Sequence, residues 1–432
     1  VPASSTQKEI ARAVEALGPG PLTEEGAATH LRPLFTKTLA QPGVYLASQS
    51  LGRPLDAVER DLAEGVSLWQ RSLSGAWDQW LAEEALYRAQ LAALLGAERV
   101  DSVVPRGSAG QGLRTVLNLL PDGARVLATT GEFASISMLL AQYARVGRIE
   151  LDLLPPDRAS QADGADGQAG AEEADRYDAG TIAEAVRKAA AAGRPVALVV
   201  VSQVFFATGQ LLGGAAELAA VCHQHGAQLL LDSYHSLGAV PVDVRALHCD
   251  YMIGGCYKYL RGGPGAAFLY LAPEVLNRGI QPLDTSWYAL EPSASPLEPG
   301  WPQLLPGGNA LLEGTPSVLT WYQARSGLAF TQAMGIERLR AYGFSQLAAL
   351  RTLLAERRIS SAGGDAEHGA FLTVRATSAE AARTVVDRLG EQEIVVNARG
   401  LLVRLCPDCL TTRAELEFVA RALGQCREVL AG

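Results

Sequence analysis

The sequence predicts an α/β protein built on a largely parallel sheet, with a second and smaller α+β lobe, and two observations predict it. A chain of 432 residues that is 48% hydrophobic exceeds what one core accommodates, because single cores stop growing well below this length. Two lobes follow. Between residues 103 and 271, short β-like runs alternate with helical stretches, which is the signature of crossovers around a parallel sheet.

Taken in order, residues 8–40 read as helix broken by Gly18-Pro19-Gly20-Pro21, up to Gln41-Pro42-Gly43 and the apolar run Val44-Tyr45-Leu46. Residues 55–95 are helical again, with Val58, Leu62, Val66 and Trp69 spaced three to four apart. The β-like runs are 103–104, 125–129, 149–153, 196–201, 228–231, 251–254 and 267–271. From 155 to 178 the composition shifts to Ala, Gly, Asp, Glu, Gln and Ser, which predicts an exposed, mobile insertion. Beyond residue 308, helix over 317–357 leads to a strand at 370–375, a helix at 378–389, strands at 394–397 and 401–405, and a last helix from 412. The expected division is an N-terminal segment, 1–75, joining the small lobe, a large α/β domain over 76–307, and a small α+β domain over 308–432.

A formal net charge of −9 and no long Lys/Arg run argue against a nucleic-acid surface, so small molecules or copies of the chain are the expected partners. No eighteen-residue apolar stretch occurs, and the start Val-Pro-Ala-Ser-Ser lacks a basic flank and apolar region, which predicts a cytoplasmic protein without a membrane partner. Six scattered cysteines form neither a disulfide framework nor a four-ligand metal cluster. Cys406-x-x-Cys409 alone is suggestive, and packing cysteines are the better reading.

The strongest signal is Leu229-Leu-Leu-Asp232-Ser-Tyr-His235-Ser, followed by Gly254-Gly-Cys-Tyr257-Lys258-Tyr-Leu-Arg-Gly262-Gly-Pro-Gly265. An acid ending an apolar strand sits at the carboxyl edge of an α/β sheet, where such folds hold ligands. A lysine between another strand end and a Gly-Gly-Pro-Gly turn is held rigidly, while the glycines let backbone approach a flat ring or phosphate. Singly, the Asp also reads as a helix N-cap and the Lys as a solvated surface residue. Their order on consecutive strands favours a site.

These segments resemble the fold-type-I pyridoxal 5′-phosphate (PLP) enzymes of the aminotransferase class V group, and within it the kynureninases, over most of the chain. Kynureninases carry a similar Asp-x-Ala-His segment and a similar Ser-Tyr-Lys-Tyr-Leu-x-x-Gly-Pro-Gly segment. Tyr45-Leu-Ala-Ser-Gln-Ser-Leu-Gly52 is similar to their Tyr-Leu-x-Gly-Asn-Ser-Leu-Gly, and Gly314-Thr315-Pro316 to a Gly-Thr-Pro segment. The resemblance implies PLP as cofactor, with Lys258 attached to its aldehyde and Asp232 at its pyridine nitrogen. A buried carboxylate there keeps the nitrogen protonated, and a desolvated lysine moves protons as a free base. It further implies Ser108 and Ala109 in a phosphate cradle at a helix N-terminus, Phe133 stacked on the ring, Ser202 beside it, and Tyr257 on the phosphate and in proton relay. Trp287 and Thr315 are the other phosphate contacts implied, Thr315 across a homodimer interface. Arg404 and Ser50 would bind substrate, Arg404 gripping the α-carboxylate. His235 supports Asp232 or the cofactor, with a satisfied core histidine as the alternative reading.

Departures mark the substrate side. Phe205, Phe206 and Ala207 replace Asn, Tyr and Arg; Ile136 replaces an Asp; Gln49 replaces an Asn; Tyr234 replaces a small residue. The expected activity is kynureninase-like hydrolysis of an amino-acid side chain to alanine and an aromatic acid. The alternative is another class V activity, such as a C–S lyase, desulfurase, epimerase or biosynthetic enzyme, and a third reading is a ligand-binding relative without catalysis. A desulfurase needs a persulfide-forming cysteine before the carboxylate-binding arginine, and residues 391–403 contain none.

Overall fold

The computed structural model describes residues 4–157, 176–294, 300 and 302–431. Its strands are β1 Val44–Tyr45, β2 Val103–Arg106, β3 Ala124–Thr129, β4 Ile149–Leu154, β5 Leu198–Ser202, β6 Gln228–Asp232, β7 Tyr251–Gly255, β8 Ala267–Leu271, β9 Ala362–Gly363, β10 Leu372–Arg375, β11 Ile394–Val395, β12 Asn397–Arg399 and β13 Leu402–Leu405. Seven of them form one sheet in the order β2-β8-β7-β6-β5-β3-β4. The links from β7 through β6, β5 and β3 to β4 are parallel, and β8 runs antiparallel to both β7 and β2. Strands β3, β5, β7 and β8 are buried along their whole length, which is why they read as continuous apolar runs rather than alternating ones. β4 closes the sheet at one edge and is only partly buried, with Glu150 and Leu153 exposed. Most of the expected insertion, 158–175, lies outside the described residues, and its flanks meet in a bridge between Asp157 and Arg176.

A second sheet, β12-β13-β10-β9, is antiparallel. Helices Ile336–Ala355, Ala379–Gly390 and Arg413–Gly424 share its core, in which Leu350, Leu354, Val385, Val403 and Val419 are fully buried. The run expected as one strand over 394–397 is two: β11 pairs in parallel with β1, and β12 pairs with β13. The chain changes partner at Val396 because the N-terminal segment supplies a strand to this lobe, with Val44 and Leu46 inside its core.

Two buried charge clusters tie the N-terminal segment down. Arg53 binds Asp408 through Nη2 at 2.5 Å and Nε at 3.1 Å, with Arg261 at 3.8 Å from the same carboxylate. Burial alone pushes the Asp408 carboxyl up, but Arg53 and Arg261 outweigh it and hold it below the usual range. Arg325, on helix Leu319–Met334, grips Glu83 bidentately at 2.6 and 2.9 Å and reaches Asp61 at 3.2 Å and Glu64 at 2.7 Å. That guanidinium joins helices Ala57–Ser72 and Trp77–Leu95 to its own. Removing one member of a buried charge set leaves the others desolvated and unpaired, which costs about 3–5 kcal/mol. Arg325→Ala therefore lowers the urea midpoint and the melting temperature markedly, whereas Lys37→Ala, which removes an exposed pair with Glu59, changes the unfolding free energy by no more than about 0.5 kcal/mol.

Candidate active site

The carboxyl ends of β3, β5, β6 and β7 open into a cavity of about 390 Å³ lined by Ser108, Phe133, Ser202, Asp232, His235 and Lys258 among others. Asp232 is the last residue of β6, and Lys258 lies three residues beyond β7, the neighbouring parallel strand. The lysine loop is shaped by close packing. A Cβ on Gly52 would fall 1.9 Å from the Lys258 carbonyl oxygen, and the Gly52 amide donates to the Tyr257 carbonyl at 2.8 Å. Gly263 and Gly265, at φ +70° and +89°, then turn the chain into β8.

Lys258 is 6% exposed, and its Nζ is 2.6 Å from His235 Nε2 and 5.5–5.7 Å from the ring centroids of Phe133, Tyr234 and Tyr257. Burial pushes this amine down to about 7, with Arg404 and Arg399 adding to the fall and Asp232 opposing it. About half of the amine is therefore unprotonated at neutral pH. Asp232 is 5% exposed and accepts a bond from the Tyr234 amide at 2.9 Å. Burial raises its pKa, opposed by that amide bond and by Lys258. Such a carboxylate has spare acceptor capacity and too little positive charge around it. His235 is held neutral, its pKa driven down by burial first and then by Lys258, and its buried Nδ1 has no hydrogen-bond partner among the described residues.

Around this pair, Ser108 caps helix Ala109–Leu119, accepting from the Gln111 amide at 3.2 Å, so the first turn of that helix faces the cavity with Gly107, Ala109 and Gly110. Phe133 meets Phe206 edge-on, 5.3 Å between centroids. Of the three replaced positions, Phe206 lines the cavity, while Phe205 is core, stacked on Tyr177 at 4.5 Å. Ile136 is buried in the large core. Tyr257 lines the cavity, and burial followed by Asp232 raises its phenol pKa, so it stays protonated.

Arg404 is 3% exposed on β13, donating to Asn397 Oδ1 at 2.9 Å and to the Phe206 carbonyl. Gln49 Nε2 donates to the same Asn397 oxygen at 2.9 Å, so the N-terminal motif braces the arginine. Burial and then Arg399 lower the Arg404 pKa to about 10. Ser50, exposed, belongs to the adjacent turn, its amide donating to the Ala47 carbonyl at 2.8 Å. Four expected residues are not among those lining this cavity: Arg404 and Ser50, and also Trp287 and Thr315. Trp287 is 57% exposed, and Thr315 lines an adjoining cavity of about 280 Å³ that shares only Gly107 and Gly265 with the first. Residue-level reading missed Glu132. It is buried three residues beyond β3, where its carboxyl is hydrogen-bonded to the Thr129 and Ser202 hydroxyls, each at 2.6 Å. A Glu beside an aromatic after a strand was the available signal.

All six cysteines are free and buried, and none of them lines the cavity among the described residues. The Cys406 thiol donates to the Ala370 carbonyl, and burial pushes Cys406 up to about 12 and Cys409 up to about 11. No helix among the described residues is long and apolar enough to cross a membrane.

Residues 178–422 match the family model of aminotransferase class-V. A kynureninase of Pseudomonas fluorescens is 31% identical over 277 residues, which is 61% of this chain and 59% of that protein. The chain thus spans about three-fifths of that relative. A kynureninase of Geobacillus thermodenitrificans is 27% identical over 91% of this chain and 90% of its own. Among solved structures, a variant of the protein C-DES, with glycine covalently linked to its PLP cofactor, superposes at TM-score 0.76 and 20% identity over 91% of this chain and 98% of that one. That likeness is one of fold.

The depressed lysine makes a direct test. Reductive methylation of the cofactor-free chain, followed by peptide mass spectrometry, should label Lys258 half-maximally near pH 7, whereas surface lysines follow their ordinary value of about 10.4. Labelling of Lys258 only above pH 9, roughly the surface behaviour, would show that its amine is solvated.

Proposed function

The chain belongs to the aminotransferase class-V family, and from that premise we propose that it is a PLP-dependent enzyme cleaving the side chain of an amino acid, with kynureninase-like hydrolysis as its reaction. The observation that carries this reading is the buried pair itself: an amine at Lys258 brought down to about 7 and an under-compensated carboxylate at Asp232, on neighbouring strand ends of one cavity.

The residues present fit the cofactor. Asp232 lacks a full counter-charge and complements a protonated ring nitrogen, Phe133 offers an aromatic face, and the amides following Ser108 suit a phosphate. PLP, when bound, supplies an electron sink for charge developing at the substrate α-carbon. Lys258 is assigned as its covalent anchor and as the base that removes and returns a proton at that carbon. Tyr257, a phenol kept protonated, is assigned as the acid partner; a base and an acid whose environments push them apart divide the proton transfers between them. His235 accepts or donates at Lys258 Nζ and so orients the amine. Arg404, already aligned by Asn397 and the Phe206 carbonyl, takes the α-carboxylate.

For a kynurenine-type substrate, water adds at the γ-ketone, the Cβ–Cγ bond breaks, the acyl carbon leaves as a carboxylate, and Cβ keeps the electron pair and gains a proton to give alanine. A second reading, another class V reaction on a different side chain, is favoured by one observation: Phe206 lines the cavity where kynureninases carry a polar Tyr, next to Ala207 in place of an Arg. An apolar wall rewards a different side chain from one that must satisfy a buried ketone and amine. Persulfide chemistry of the desulfurase kind is disfavoured, since all six thiols are buried and none lines the cavity among the described residues. The reading also carries a homodimer in which Thr315 serves the partner's phosphate site, and light scattering measures the dimer.

Holoenzyme should absorb at roughly 420 nm, and Lys258→Ala should abolish that band while the protein remains folded. Kynurenine should perturb the band and release alanine. A spectrum unmoved by kynurenine but shifted by a sulfur-containing amino acid would replace the leading reaction with the second. Arg404→Ala should raise KM for any α-amino-acid substrate on the order of tenfold to a hundredfold, the loss of a charge-assisted contact, with the 420 nm band, roughly placed, intact.

A further inference from the structure

We propose that Glu132 is a positioning residue of the cofactor site, a carboxylic acid kept uncharged so that the negative charge at this edge of the sheet resides on Asp232. The inference rests on reading Asp232 as the group that faces the cofactor's ring nitrogen. Three adjacent strands carry the arrangement. Glu132 follows β3, Ser202 ends β5, and Asp232 ends β6 directly opposite Ser202 in the parallel register. Ser202 Oγ lies 2.6 Å from Glu132 Oε2 and Thr129 Oγ1 lies 2.6 Å from Glu132 Oε1, so with the acid uncharged one hydroxyl donates to its carbonyl oxygen and the other accepts its O–H. Glu132 is 4% exposed, and no cation is among its hydrogen-bond or ion-pair partners in the described residues.

A desolvated carboxylate answered only by two neutral hydroxyls is costly, and a second carboxylate one strand away makes it more so. Of the two acids, Asp232 is the one that lines the cavity and has Lys258 acting on it, whereas Glu132 lies behind Ser202 with Asp232 acting on it. Burial, reinforced by Asp232 and opposed by the Ser202 and Thr129 bonds, lifts Glu132 to about 7. One proton shared between two nearby acids settles on the member with less compensation. Here that member is Glu132. The consequence is twofold: Asp232 stays available to pair with a cation, and Ser202, whose hydroxyl is committed to Glu132, is held in one rotamer at the cavity wall.

Two measurements on the full chain test this. Infrared difference spectra of Glu132→Gln against the unaltered protein, with and without PLP, should show the carbonyl band of a protonated carboxylic acid at pH 6, absent from the variant. The pH midpoint at which the band disappears should fall in Asp232→Asn, because removing a neighbouring negative charge makes Glu132 a stronger acid. The second measurement is the dissociation constant for PLP, followed by absorbance. Glu132→Gln, a neutral isostere, should bind within about threefold of the unaltered protein, and Glu132→Ala should bind about tenfold more weakly as Ser202 loses its partner. A missing acid band, a midpoint unmoved by Asp232→Asn, or Glu132→Gln losing PLP as severely as Glu132→Ala would each overturn the proposal. If the unaltered protein itself failed to take up PLP, the reading of the cavity would fall, while the infrared band would still decide the protonation of Glu132.

Discussion

Desolvation at the carboxyl edge of the large sheet is the constraint on which the rest of the site depends. Lys258, Asp232, His235 and Glu132 are all buried, and burial is the largest single influence on each of them. It acts in opposite directions on bases and acids, lowering the lysine and the histidine and raising the two carboxyls. The result is a set of groups in which burial works against charge on all four, and a charged ligand offsets that cost. A site of this kind is costly to fold and inexpensive to fill, which is the sense in which it is preorganised.

What keeps water out is the rest of the chain. The N-terminal segment threads β1 beside β11, lays Gly52 against the backbone of Lys258, and anchors itself through Arg53 on Asp408. Arg404 on β13 is bound to the backbone of Phe206, a cavity-lining residue on the loop after β5. Arg404, Asn397 and Gln49 form a chain of contacts linking that loop, the β12–β13 hairpin and the N-terminal motif. A substrate carboxylate engaging Arg404 would thus act on three separate parts of the molecule at once.

The replaced residues divide into two groups once their surroundings are known. Phe205 and Ile136 are packed into the core and bear on stability. Phe206 and Tyr234 line the cavity and bear on which side chain it accepts. Gln49 keeps a structural polar role through Asn397, with its own Oε1 buried and unpaired.

The sequence by itself determined the alternating strands and helices, the family and the cofactor. Apolar runs ending in Asp232 and preceding Lys258 are local signals, and local signals survive in one dimension. The expected strands at 228–231, 251–254 and 267–271 lie within one residue of β6, β7 and β8 because continuous burial writes itself as continuous hydrophobicity. Tertiary structure alone decided the rest. The split of 394–397 between two partners depends on pairing with Val44, some 350 residues away in the chain. The Glu132 carboxyl acquires meaning only when Ser202 and Asp232 are brought across neighbouring strands. Trp287 and Thr315, carried by a motif, lie outside the main cavity in the single chain. Propensity and patterning act over a few residues, whereas pairing partners, burial of single polar atoms and the shifts in acidity that follow are properties of a packed three-dimensional neighbourhood.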